Sequence, residues 1–264
     1  MGNTGMEQGM FAEERKSRII EFINQNEKAT VSQLCDQFDV SRATIRNDLN
    51  ELDEKGLIKR THGGAISTQS VNYEMNIIER EVHFQKEKEA IAKQALTYIR
   101  EGDCIGLDAG TTTYELARLL TGFTKLTIVT YDLNIAAFLD ANTEHIVFLA
   151  GGEVRKGFHY LTGEAALRTL ENLYLDVLFL AGNGVDAKKG LTTPNFDTAR
   201  IKKCLIEHST HKVLLADHSK MNNVSFTKYA DISDVDVFIT DAGADRKSLK
   251  AIEDADIEVV VVDV

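Results

Sequence analysis

Two short stretches of this sequence carry side chains in patterns suited to chemistry. The first is Ser41-Arg42-Ala43-Thr44-Ile45-Arg46-Asn47-Asp48-Leu49-Asn50-Glu51-Leu52. Ile45, Leu49 and Leu52 recur at i, i+4 and i+7, one stripe of a helix turned to a core. Ser41 is placed to cap that helix, its hydroxyl accepting a backbone N–H of the first turn. At 3.6 residues per turn the far side carries Ala43, Arg46, Asn47 and Asn50, with Arg42 and Thr44 in the first turn. Guanidinium and amide groups in such a row pair well with purine edges in a DNA major groove. An ordinary amphipathic surface helix has the same outline, so its sequence neighbours must decide between the two.

The second stretch is Asp108-Ala109-Gly110-Thr111-Thr112-Thr113. A glycine lets an anion approach the backbone, a helix start offers unpaired N–H groups, and threonines add hydroxyl donors. That combination suits a phosphate. It lacks the lysine and the glycine spacing of a Walker loop. A threonine at a helix start is also a plain cap, so the loop alone decides little. Arg155, Lys156, Lys202 and Lys220 fall near other strand or helix starts and favour a phosphorylated sugar or polyol. Of these, Lys156 has most the character of a solvated surface residue.

The elements that must position the first stretch lie on both sides of it. Residues 11–24 carry Ile19, Ile20 and Ile23 at helical spacing, with Arg15, Lys16 and Arg18 beside them. After a polar break at 24–28, Thr30 caps a short helix over 31–38 that puts Val31, Leu34, Cys35 and Phe38 on one face. Asp39-Val40 is a tight connection into the Ser41 helix, which completes a helix-turn-helix pattern. Gly56 follows as a C-terminal stop. Residues 57–66 then read as two short strands about Gly63-Gly64, a wing whose Lys59, Arg60 and His62 suit phosphate contacts that supply position rather than sequence information. Residues 1–66 hold 9 Lys and Arg against 11 Asp and Glu, so positive charge is concentrated locally. A winged-helix module that meets only protein is the alternative.

The second stretch belongs to a longer α/β pattern. Residues 104–107, 126–130, 145–150, 176–181, 212–216, 235–240 and 258–262 are short, apolar and rich in β-branched residues, as in strands covered on both faces. Helical segments at 113–121, 133–141, 163–174, 195–209 and 244–254 alternate with them, which predicts a mostly parallel sheet. Such sheets bind ligands beyond the carboxyl ends of their strands. There the chain places Asp108 to Thr113, Thr130 with Tyr131-Asp132, Gly151-Gly152 with Arg155, Asn183-Gly184-Val185-Asp186, Asp217 with Lys220, and Asp241.

Between the halves, residues 67–70 are short and polar, and 73–95 are charge-rich and helix-permissive. The expected division is a winged helix over 10–67, a linker over 68–85 and an effector domain over 86–264. The chain has 264 residues, 43% hydrophobic and 27% charged, with a net charge of −11 that argues against a non-specific polyanion binder. Cys35, Cys104 and Cys204 are scattered and odd in number, as expected of reduced thiols in a cytoplasm. They lack zinc-ligand spacing and His208-x-x-His211 has no companion, so no metal is expected. No apolar run approaches the roughly 18 residues of a membrane span. Met1–Gly9 has no apolar core, so we expect no signal peptide and no membrane partner.

Thr30-Val31-Ser32-Gln33-Leu34, Val40 through Leu49, and Leu52 to Ala65 with Gly63-Gly64-Ala65 resemble the DeoR family of bacterial transcriptional regulators. Asp108-Ala109-Gly110-Thr111-Thr112, Gly151-Gly152, Gly163, Gly182 to Asp186, Gly190-Leu191-Thr192, Lys202, Asp217 to Lys220 and Thr240-Asp241 resemble its effector domain. The resemblance implies an α+β two-domain chain, its second domain related to the ribose-5-phosphate isomerase fold. It further implies a homo-oligomeric repressor, dimer or tetramer, that binds double-stranded operator DNA and answers to a phosphorylated sugar, without a cofactor.

An isomerase carrying a DNA-binding module is the competing class. Ribose-5-phosphate isomerases, by similarity, carry acids in the loop matching 182–186 and near the start of the helix over 200–209. This chain has Asn183, Asp186 and Lys202 there. A neutral amide is no base and a lysine is normally protonated at neutral pH. The reading is therefore a catalytic fold reused as a sensor.

Overall fold

The structure is a computed structural model that describes residues 12–26, 28–54, 57–67, 74 and 77–264. The expected tail over Met1–Gly9, the Gly56 stop and most of the 68–85 joint lie outside these residues. Two compact units divide the chain after Ser70.

In the first unit, α1 (Ala12–Asn26), β1 (Lys28–Thr30), α2 (Val31–Phe38), α3 (Arg42–Glu54), β2 (Ile58–Thr61) and β3 (Gly64–Ser67) follow in order. Thr30 and Gln33 form a reciprocal cap on α2: the Thr30 hydroxyl accepts the Gln33 N–H at 3.2 Å and the Gln33 side chain accepts the Thr30 N–H at 2.9 Å. Asp39 ends α2 in the left-handed region, which a short polar side chain tolerates, and the chain turns into α3. Ile19, Ile23, Leu34, Ile45, Leu49, Leu52 and Ile58 close one core. The wing is a sheet of order β1-β3-β2, in which β1 is an unexpected third strand at the end of the polar break. Three residues of β1 leave too little pattern to read in advance.

The second unit opens with α4 (Ile77–Val82) and α5 (Gln85–Ala95), so part of the 68–85 stretch read as linker is helical and buries Ile77. Then come β4 (Cys104–Leu107), α6 (Thr111–Leu119), β5 (Thr127–Thr130), α7 (Leu133–Asn142), β6 (Ile146–Leu149), β7 (Glu153–Arg155), β8 (Tyr160–Thr162), α8 (Glu164–Leu170), β9 (Leu175–Ala181), β10 (Gly184–Asp186), β11 (Gly190–Thr193), α9 (Phe196–Glu207), β12 (Ser209–Leu215), β13 (Thr227–Ala230), β14 (Val237–Asp241), α10 (Arg246–Glu253) and β15 (Glu258–Val262).

The seven expected strands form one parallel sheet of order β15-β14-β12-β9-β4-β5-β6. Alternate residues of β9 face opposite cores. Leu178 and Leu180 meet Leu167, Ile201 and Leu205, and Val177 and Phe179 meet Ile91, Leu116 and Ile135. Helices thus cover both faces, as nearly continuous apolar strands require. β6 departs from the expected burial: it is an edge strand, and Ile146 and Phe148 are 60% and 45% exposed. Its apolar character reads the same at an edge as in the centre. The antiparallel pair β7-β8 and the small sheet β10-β11-β13 sit outside the main sheet and were not expected. Among the described residues no helix is long and apolar enough to cross a membrane.

Candidate functional site

The outer face of α3 is laid out as its periodicity requires. Arg42, Ala43, Arg46, Asn47 and Asn50 are exposed, and Thr44 is half-buried. Ser41 caps the helix, its hydroxyl accepting the Thr44 N–H at 3.2 Å and lying 2.9 Å from the Thr44 hydroxyl. On the wing, Arg60 donates its backbone N–H to Asp53 at 2.8 Å and its guanidinium to the Asn50 side chain. Asn50 and Arg60 are therefore one polar unit joining helix and wing. Lys59 is half-buried and His62 is exposed at the tip.

Below this face a charged layer fixes α3 to α1. Asp48, 5% exposed, accepts two bonds from the Arg15 guanidinium at 2.6 and 3.1 Å. Lys16 donates to Glu51 at 2.6 Å and also pairs with Glu13, and Arg18 pairs with Glu14 at 2.8 Å. The basic residues of α1 thus serve internal pairs. Asp48 is turned inward, so the acidic residues of α3 do not all oppose an anion on the outer face.

In the second unit the strand order reverses between β4 and β9, which leave the sheet centre side by side. In open parallel sheets the crevice at that reversal is where ligands bind. Asp108, fully buried just past β4, spans the reversal by accepting the Ala181 N–H at 2.8 Å. It also accepts the Lys202 ammonium and the Tyr131 hydroxyl. Burial and the Asp108 charge hold that Tyr131 hydroxyl well above its ordinary pKa. Lys202, 1% exposed, donates again to the Ala181 carbonyl at 2.9 Å. Asp108 and Lys202 make a closed floor under the site.

Over this floor lies the start of α6. The Thr113 hydroxyl donates to the Asp108 and Gly110 carbonyls at 2.7 and 2.9 Å, so it shapes the loop. A Cβ on Gly110 would stand 2.7 Å from the Ala181 Cβ, so only glycine fits there without a shift. The first turn of α6 holds no acid. Beside it Asp132 caps α7, accepting the Asn134 and Ile135 N–H groups at 2.8 and 3.1 Å. Burial pushes this carboxyl up to about 6, against those bonds. Thr130, buried, accepts the Asp132 N–H at 3.1 Å.

The remaining expected residues divide. Gly152 packs against the Thr162 carbonyl, which a Cβ would approach to 2.2 Å, while Gly151 has open space. Arg155 is bound to Glu74 and Tyr160. Asn183 accepts the Thr193 hydroxyl at 3.2 Å, and Gly184 lies against the Asn223 backbone. Asp186 accepts the Lys188 and Lys189 N–H groups and closes the β10-β11 turn. Asp217 is buried in a second cluster with Lys220 and Lys88. Although burial works against it, Lys220, Ser219 and Lys88 hold Asp217 below its ordinary range. Burial in turn pushes Lys88 down to about 8. His218 pairs with Asp241 at 2.7 Å alongside.

Sequence spacing left Lys88, Tyr160 and Glu74 out of the site. Asp132 was legible as a cap just past a strand end. Nothing in spacing marks Glu74 or Tyr160, whose partners are far away in sequence.

A winged helix with a guanidinium-rich outer face, joined to an α/β unit with a closed polar floor at its sheet reversal, defines a DNA-binding transcriptional regulator with a sensor domain. A family profile described as DeoR-like helix-turn-helix domain matches residues 15–71, and one described as DeoR C terminal sensor domain matches 83–242. The chain belongs to the DeoR family. It is 39% identical over 251 residues to the HTH-type transcriptional regulator GlpR of Haloferax volcanii, covering 95% of this chain and 98% of that one. It is 36% identical over 230 residues to the glycerol-3-phosphate regulon repressor of Escherichia coli, covering 87% and 90%. Among solved structures, ribose 5-phosphate isomerase A of Methanocaldococcus jannaschii is 17% identical with a TM-score of 0.39, over 52% of this chain and 54% of that one.

Proposed function

We propose that this regulator represses an operon of carbohydrate metabolism and that its second unit binds a phosphorylated sugar at the β4-β9 reversal. The observation that carries this is the α6 start: Gly110 pressed on Ala181, with the Thr111 and Thr112 backbone above a floor that Asp108 and Lys202 close from below. Helix-start amides over a buried, ion-paired floor suit a phosphate. The relatives agree with this, among them a glycerol-3-phosphate regulon repressor and a putative aga operon transcriptional repressor, both of Escherichia coli.

In this reading Arg42, Arg46, Asn47 and Asn50 face base edges, and Ser41, Ala43, Thr44, Lys59, Arg60 and His62 face the backbone or close approach of the duplex. Thr111 and Thr112 hold the phosphate, with Asn183, Asp186, Asp217 and Lys220 about the sugar. The winged helix ends near 67, and the joint is shorter than 68–85 because α4 belongs with the ligand unit. The protein acts in the cytoplasm as a homo-oligomer, since paired half-sites call for paired readers. It carries out no isomerisation. The Lys202 ammonium is bound to Asp108 and the Ala181 carbonyl, and Asn183 offers no base.

The test is a thermal-shift panel on the full chain, each phosphorylated sugar beside its unphosphorylated parent. A ligand at about 100 times its dissociation constant adds about 2.7 kcal/mol, a rise of several degrees in Tm. A shift confined to phosphorylated compounds supports the reading. A shift with the parent sugars alone, or none across the panel, overturns the ligand class.

A further inference from the structure

Arg155 is an anion-binding side chain whose occupant is part of the chain itself. Its guanidinium donates to Glu74 Oε2 at 2.5 Å and to the Tyr160 hydroxyl, and lies 4.0 Å from the centre of the Phe158 ring. Glu74 Oε1 accepts from Arg80 at 2.5 Å. One carboxylate, its side chain 6% exposed, is thus held between two guanidinium groups. Two guanidinium groups converging on one acid are the geometry that also recognises phosphate. Arg155 keeps 24% of its side chain open to solvent, so an incoming anion can reach it.

The same arginine is joined by contacts to the sheet reversal. The Tyr160 hydroxyl accepts the Thr198 hydroxyl at 3.2 Å, in the first turn of the helix that carries Lys202. The Tyr160 ring meets the Tyr131 ring edge-on at 5.8 Å, and Tyr131 donates to Asp108. The Tyr160 backbone also pairs with Asp132 beside the start of α6. Arg155 therefore stands at the rim of the proposed ligand site, and Glu74 lies four positions past the boundary at Ser70.

We propose that Arg155 and Arg80 form a second anion subsite, that Glu74 fills it when no ligand is bound, and that a second acidic group of the effector displaces Glu74. That group is a phosphate or a carboxylate remote from the phosphate at Thr111 and Thr112. The inference rests on the ligand reading above. Two acids cannot share the two guanidinium groups, because like charges a few ångströms apart disfavour each other. Ligand binding and Glu74 docking are mutually exclusive, so the ligand has the different affinity for two states that regulation demands.

The test is titration calorimetry of inorganic phosphate into the full chain, as wild type, Glu74→Gln, Glu74→Asp and Glu74→Gln with Arg155→Met. If Glu74 closes the subsite in about nine molecules of ten, Glu74→Gln binds phosphate about tenfold more tightly. Glu74→Asp, which keeps the charge but shortens its reach, falls between, and Arg155→Met abolishes the gain. Glu74→Gln also moves operator affinity in the same direction as an effector does. Equal phosphate affinity in wild type and Glu74→Gln, with both chains melting cooperatively, overturns the competitor role. A tighter phosphate affinity with no sugar phosphate active on the wild type keeps the competitor and discards the sugar. A sugar phosphate that stabilises wild type and both Glu74 variants alike, while phosphate affinity is unchanged, keeps the ligand reading and discards the competitor.

Discussion

Lys202 and Asp108 meet as a buried ion pair under the sheet reversal, their side chains 1% and 0% exposed. Asp108 also binds the Ala181 N–H and the Tyr131 hydroxyl, so its charge is shared among three donors from different elements. Removing one partner of such a pair leaves an uncompensated buried charge, at a cost of about 3–5 kcal/mol. Lys202→Met should lower unfolding stability by that amount in urea titration. Adding Asp108→Asn should recover a large part of the loss. If the double variant is as unstable as the sum of the singles, the two groups act separately.

On the DNA side, Arg46 has no partner among the described residues, whereas Arg60 is bound to Asn50 and Lys59 also has one. An exposed arginine that reads a base contributes about 1–3 kcal/mol of discrimination. Arg46→Ala should weaken binding to the operator by that amount and relax preference at one base pair. Arg60→Ala should weaken all sequences alike and reduce the salt slope by about one. Gel-shift titrations across salt concentrations on operator and scrambled duplexes separate the two. An unchanged operator affinity removes Arg46 from the readout.

Asp48 presents a different case, because its role is to hold the reading helix rather than to touch DNA. It accepts both Arg15 bonds at 7% side-chain exposure. Hydrogen bonds to charged groups contribute about 1.5–3 kcal/mol. Asp48→Ala should lower the thermal midpoint of the first unit and weaken operator binding indirectly. Pairing it with Arg15→Met should restore part of the midpoint. A variant with wild-type stability but lost DNA binding would place Asp48 on the interface instead.

These cases show what was legible in the sequence. The α3 face and the seven parallel strands were readable because each depends on spacing within one element, as with Ile45 and Leu49 or the alternation along β9. The inward role of Asp48 was not readable, because its position on α3 does not reveal Arg15, which lies 33 residues away. The Gly110-Thr111-Thr112 loop raised the expectation of an anion site, yet Thr113 went to shaping the loop, a choice made by backbone carbonyls that no motif displays. Arg155 was found as a cation near a strand end. Its partner Glu74, 81 residues earlier, sits in a charge-rich stretch whose acids all look alike. The edge exposure of β6 follows from strand order, which apolar runs do not encode.

Asp132 offers the clearest pH dependence. Burial raises its folded-state pKa from 3.8 to about 6, although the Asn134, Ile135 and Gly110 amides oppose the shift. The folded state therefore binds more protons than the unfolded state between those values. Stability falls as pH rises from about 3.8 towards 6 and is level in this group's contribution above that. The slope is bounded by about 1.4 kcal/mol per pH unit. Asp132→Asn keeps a good helix cap while removing the titration. Denaturant unfolding at pH values from 4 to 7.5 should show the wild-type curve losing stability relative to this variant as pH rises, with the difference flat above 6. A difference that grows instead as pH falls would mean that the carboxylate is stabilised in its ionised form, and that the α6 start beside it supplies more positive potential than burial removes.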